Sequence, residues 1–144
     1  MRALLDVNVL IALLDAAHIG HRQAHQWLAD HAGHGWASCP ITQNGCIRIM
    51  SQPAYPGALA AAAVAARLAE AAAHGSHHFW PDDISLLAPG AIAWSRVLGH
   101  RQVTDNYLLA LAVRHLGRFV TFDSRVQLDA VAGAEPQHLV VLAG

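Results

Sequence analysis

Ten carboxylates occur in the 144 residues, few enough that the placement of three of them is informative. Asp6 closes the apolar run over residues 3–6, and Asp123 closes the run over residues 119–123, FVTFD. A short apolar run of this kind reads as a buried strand. Asp105 follows Thr104, which reads as a helix N-cap, so this third acid opens a helix. In a parallel sheet the strand ends share one edge, where a ligand site is expected. Three carboxylates brought together repel and raise one another's pKa. A bound divalent cation removes that cost, and an oxygen-only donor set favours Mg²⁺ or Mn²⁺ over zinc. Such a site holds a phosphodiester and activates water for in-line attack. Taken singly, each Asp also has a plainer role. Asp105 suits a helix dipole, and Asp6 and Asp123 suit turns or caps. Their joint placement is what points to a metal.

The elements that must position these acids follow from the apolar pattern. Strands are expected at residues 3–6, 36–39, 77–80, 119–123 and 138–142. Helices are expected after Asp6, over residues 20–31, after Pro40, through the alanine-rich run up to Gly75, over residues 89–99, and from Thr104 to His115 with Gly117 as the stop. Residues 51–57, SQPAYPG, carry loop chemistry. The strands are continuously apolar and alternate with helices, which predicts an α/β fold with a parallel β-sheet sandwiched by α-helices. The length fits one domain spanning residues 1–144.

Composition narrows the chemistry. All nine basic residues are Arg, which excludes a P-loop lysine, a Schiff base and any other mechanism needing an ammonium group. The net charge of −1 is not that of a protein coating nucleic acid, so any phosphate contact must come from local arginines. Cys39 and Cys46 have no zinc spacing and make no disulfide framework, as expected for a reducing interior. Asp6, Asn8, Asp15, Arg67 and Glu70 interrupt every apolar stretch, so no membrane span is expected and the cytoplasm is the expected location.

Three segments, LLDVNVLIALLD, CPITQNGCIRIMS and RQVTDNYLLALAVRHLGRFVTFD, together resemble PIN-domain proteins. Within that family the chain is similar to the VapC toxins of toxin–antitoxin pairs. The resemblance covers nearly the whole chain. It implies a Mg²⁺-dependent endoribonuclease, usually a homodimer, restrained by a VapB-type antitoxin encoded beside it. By motif match, Asp6, Asp105 and Asp123 take the places of the metal-binding, catalytic carboxylates. Asn8 and Thr121 match the polar residues beside the first and last of these, where they orient ligands or water. Arg48, Arg101 and Arg125, with Arg96, are the candidates for RNA phosphate contacts. The chain departs from the family at Gly45, where most members carry a Glu three positions before the Arg matched by Arg48. Gln43 and Asn44 offer neutral oxygens nearby. The missing carboxylate leaves open whether one or two metals bind, and Gly45→Glu is expected to strengthen metal binding. The alternative is a catalytically weak PIN domain serving as an RNA-binding or regulatory module. A phosphotransfer domain ranks lower, since its usual lysine is absent.

The histidines and tryptophans have plainer expectations. His18, His21 and His25 fall on one helix face, read as a partly solvated surface rather than a zinc trio. His77 and His78 flank an exposed strand start. His100, beside Arg101, sits where it would meet an RNA backbone or solvent. Phe79 and Trp80 are expected to fill core, and Trp94 and Arg96 to ride the helix over residues 89–99.

Overall fold

Five short parallel strands, β1 (Ala3–Leu5), β2 (Trp36–Ser38), β3 (His77–Phe79), β4 (Arg118–Thr121) and β5 (Leu139–Val141), form one sheet in the order β3-β2-β1-β4-β5. The computed structural model describes residues 1–143. The helices are α1 (Val7–Leu14), α2 (His21–Asp30), α3 (Pro40–Met50), α4 (Ala61–Ala73) and α5 (Val103–Arg114). None of them is long and apolar enough to cross a membrane.

The continuous apolar character of the strands has a direct structural cause. Successive side chains point to opposite faces of a sheet, and here both faces are covered. Leu5 and Val120 join the core packed against α1, α2, α3 and α4, whereas their neighbours Leu4 and Phe119 join the core built on α5. Leu4, Leu5, Phe119 and Val120 are all fully buried. Each such side chain contributes about 1.5–3 kcal/mol relative to exposure. Strand order reverses between β1 and β4, paired at Ala3↔Arg118 and Leu5↔Val120. That reversal opens a crevice beyond the carboxyl ends of these two strands.

Three local expectations change. Residues 89–99 form no α-helix, only a 3₁₀ turn at Trp94–Arg96. Their backbone is engaged elsewhere: Ala93 N–H donates to Ala130 O at 2.8 Å, and Ile92 bridges Val131. Thr104 is not an N-cap, because a 3₁₀ turn at His100–Gln102 runs into α5 and makes Gln102 the cap. Phe79 does not fill core. It lies on the edge strand β3 and is 54% exposed, while Trp80 is buried as expected.

The stop of α5 also works differently. Leu116, at φ 58°, takes the left-handed position. Leu116 N–H and Gly117 N–H close the helix on Val113 O and Ala112 O, at 3.1 and 2.8 Å. Gly117 is needed for closeness instead, since a Cβ there would lie 2.5 Å from Arg2 O. This contact seats the start of β4 beside β1, where Arg118 N–H donates to Arg2 O.

The histidines cap a helix. His18 precedes α2 and its Nδ1 accepts from Gly20 N–H. His21 Nδ1 lies 2.7 Å from Ala12 O and His25 Nε2 lies 3.0 Å from Leu13 O. Both acceptors are carbonyls in the last turn of α1, so both ring nitrogens must donate. Replacing His21 with Ala is expected to lower stability by about 1 kcal/mol. Urea denaturation of the variant and the parent measures this.

Candidate metal centre

Asp6 sits where β1 becomes α1 and serves as the N-cap of that helix. Its Oδ1 accepts from Val7 N–H at 2.8 Å, and its Oδ2 accepts from the Thr121 hydroxyl at 2.6 Å. The carboxylate is buried, only 7% exposed. Burial pushes its pKa up, the hydrogen bonds from Thr121 and Val7 pull it down, and the negative charge of Asp123 pushes it further up.

Thr121 ends β4 and ties the crevice together. Its hydroxyl oxygen accepts from Asp123 N–H at 3.0 Å and from Asn8 Nδ2 at 3.3 Å, while its proton goes to Asp6. Asn8 in turn accepts from Phe122 N–H through Oδ1. One buried hydroxyl therefore orients Asp6, places Asp123 and anchors Asn8 across the β1/β4 switch point.

Asp105 lies in the first turn of α5. Burial, then the charges of Asp6 and Asp123, raise its pKa to about 6, and Arg125 opposes the shift weakly. Asp105 thus feels both other acids, and Asp6 feels Asp123. Asp105 and Asp123 also line one small cavity of about 120 Å³, together with Arg101, Gln102, Asn106, Arg125, Val126 and Gln127.

Asp123 is held by its own neighbour. Arg125 Nε and Nη2 meet its two oxygens at 3.0 Å each, and Arg125 N–H adds a third bond at 2.9 Å. The guanidinium and this backbone N–H hold the Asp123 carboxyl below the usual carboxylate range. Among the described residues, no three His, Cys, Asp or Glu side chains are gathered closely enough to hold a metal ion. The chemistry of the donors nevertheless fits a hard divalent cation. They are all carboxylate oxygens, and the half-buried Asp105 is pushed up by the charges of both other acids.

Other sequence candidates separate. Arg101 and Arg125 border the cavity, whereas Arg48 and Asn44 lie exposed on α3 and do not line it. Arg96 pairs with Asp129 at 3.8 Å. Gln43 donates to Ser38 Oγ at 3.0 Å, within the fold. Gly45 packs against the start of α1: a Cβ there would lie 2.7 Å from Val7 Cγ2. Its bareness admits the start of α1 against α3. Sequence reasoning missed the polar cavity walls Gln102, Asn106 and Gln127. The one signal available was the position of Asn106 next to Asp105 in the sequence; its burial shows only in the structure.

The family model for the PIN domain matches residues 3–134. Ribonuclease VapC44 of Mycobacterium tuberculosis (strain ATCC 25618 / H37Rv) is 52% identical over 99% of this chain and 100% of its own length. Ribonuclease VapC39 of the same strain is 44% identical, covering 92% of this chain and 96% of its own. A crystal structure of VapBC2 from Rickettsia felis bound to a promoter DNA fragment superposes with a TM-score of 0.58. It does so at 12% identity, over 85% of this chain and 89% of that one. Two curated relatives above 40% identity and a family match running from β1 through β4 agree with the parallel β3-β2-β1-β4-β5 architecture: the chain belongs to the PIN-domain family, in its VapC group.

Proposed function

We propose that this protein is a Mg²⁺-dependent endoribonuclease, the toxin of a VapBC-type toxin–antitoxin pair. The observation that carries the reading is Asp105, raised by the charges of Asp6 and Asp123, beside the switch-point crevice where Asp6 and Asp123 both bond to Thr121. The names of the two relatives, both ribonucleases, supply the reaction class. Asp6, Asp105 and Asp123 would hold the cation, with Mn²⁺ able to replace Mg²⁺. When bound, it supplies charge neutralisation of the phosphodiester and a water of lowered pKa.

The chain's own residues do the rest. Thr121 and the Val7 N–H fix both oxygens of Asp6, so this ligand is set before any cation binds. Asn8 holds the backbone that leads from β4 to Asp123. Asn106, Gln102 and Gln127 offer neutral hydrogen bonds on the cavity wall, and Arg101 offers a cation to a phosphate oxygen. Arg48, exposed on α3, is a further candidate for a phosphate contact away from the cavity. A VapB-type antitoxin, a homodimeric state and a cytoplasmic location complete the proposal, the first in keeping with the VapBC structure that shares this fold.

The test is cleavage of structured cellular RNA in Mg²⁺, repeated in EDTA. Cleavage that EDTA abolishes supports the reading, and no cleavage of any RNA pool in Mg²⁺ overturns it. RNA binding should weaken as salt rises from low to physiological, because its phosphate contacts release counterions. An affinity flat across that range argues against RNA as the ligand.

A further inference from the structure

We propose that Arg125 is a resident counter-ion for Asp123 that gives way when a divalent cation binds. Its freed guanidinium then takes a phosphate oxygen of the substrate. This rests on the ribonuclease reading for the substrate, though not for the exchange itself. Both Asp123 oxygens are engaged by Arg125, at 3.0 Å each, in the two-pronged geometry only a guanidinium provides. Unlike the neutral donors on Asp6, the guanidinium brings a positive charge to both Asp123 oxygens, and it and a metal ion repel if both crowd that carboxylate.

Release is easy. The Arg125 side chain is 73% exposed, so it swings without disturbing the core. Exposed ion pairs of this kind shift equilibria by only about two- to fivefold. A doubly charged cation among three carboxylates outweighs that. The backbone N–H of Arg125 still holds Asp123 Oδ1 at 2.9 Å, so the loop keeps its shape as the side chain leaves. Tethered two residues from Asp123, the guanidinium stays at the cavity that Arg101, Gln102 and Gln127 also line. Cation binding thereby turns an internal ion pair into a phosphate-binding group.

The test is calorimetric titration with Mn²⁺, without RNA, of the parent, Arg125→Gln and Arg125→Lys. Arg125→Gln is expected to bind Mn²⁺ about fivefold more tightly than the parent, and Arg125→Lys about threefold. Lysine keeps the charge but lacks the fork. If Arg125→Lys matches the parent while Arg125→Gln gains, only the field of the charge matters and the exchange is wrong. Equal affinities for all three, or no Mn²⁺ uptake by any, also overturn it. In the parent, the Arg125 Nε–H cross-peak should shift on Mg²⁺ addition; an unmoved peak counts against release. In Mg²⁺, Arg125→Gln should raise KM for RNA severalfold while kcat changes little. Tighter metal with weaker RNA is a pair of opposite effects that a merely structural arginine does not produce, and an unchanged KM overturns the phosphate role. Should the parent cleave no RNA, the ribonuclease reading falls while the Mn²⁺ series still decides the exchange.

Discussion

Asp105→Asn is expected to abolish RNA cleavage and, in EDTA, to make the protein more stable than its parent. The two effects share one cause. Burial and the charges of Asp6 and Asp123 raise the pKa of Asp105 to about 6, from an ordinary 3.8. The folded state therefore binds this proton more tightly than the unfolded state. Between about pH 4 and pH 6 the folded protein carries more protons, so its stability falls as pH rises through that window and stays low above it. The raised pKa of Asp6 acts with the same sign, whereas the lowered pKa of Asp123 acts against it at more acid pH. The Asp105 shift corresponds to at most about 3 kcal/mol, and about 1–2 kcal/mol is expected once solvent at this half-buried group is allowed for.

Asn keeps the shape and removes the charge, so the cation-free variant should regain that 1–2 kcal/mol at pH 7 and lose the Asp105 part of the pH dependence. Excess Mg²⁺ should stabilise the parent by about 2–3 kcal/mol at 100 times its Kd and leave the variant unmoved. Cleavage should fall at least about 100-fold, since losing even a residue behind a metal ligand costs about 10–100-fold. Thermal melts at pH 4.5 and pH 7, with EDTA and with Mg²⁺, set beside cleavage rates, measure all of this. A folded variant that still cleaves as the parent does removes Asp105 from the site.

What the sequence made legible, and what it did not, divides along a physical line. The sheet and the meeting of Asp6 with Asp123 were readable because each follows an apolar run, and parallel strands carry their ends to one edge. Asp105 was readable as a helix opener, although the helix begins at Val103 and Thr104 is not its cap. The 3₁₀ turn before it leaves no composition signal. Residues 89–99 misled because Pro and Gly bracket them like a helix. The hydrogen bonds of Ala93 and Ala132 with Ala130 and Ala91 are tertiary, and no local pattern encodes them. Phe79 misled because an aromatic residue in a strand looks the same on an edge as in the centre. Arg125 was readable as a cation near the motif, while its grip on Asp123 belongs to a loop conformation that residue types do not specify.

Gly45 shows the same limit with the largest consequence for stability. By family pattern, a Glu there should add an oxygen ligand and replace a helix glycine at a gain of roughly 0.5–1 kcal/mol. The structure points the missing Cβ at Val7 Cγ2, 2.7 Å away. Val7 is β-branched and sits in the first turn of α1, so its χ1 is stiff. Its N–H also holds Asp6 Oδ1. A side chain at 45 must therefore push α1 away from α3 and drag Asp6 with it. Overpacking of this kind costs about 1–3 kcal/mol, more than the helix gain. Gly45→Glu is expected to lose about 1–2 kcal/mol net, a Tm fall of roughly 3–7 °C. It should bind Mn²⁺ no better than the parent and up to roughly tenfold worse, as for other disturbed ligand supports. Gly45→Ala should show most of the same loss, because the first added carbon already meets Val7. Val7→Ala in that background should restore both Tm and Mn²⁺ affinity by making room. If Gly45→Glu instead keeps its Tm and takes up Mn²⁺ more tightly, Val7 yields to the new side chain. The glutamate then reaches the carboxylates, and close helix packing is not what keeps position 45 bare.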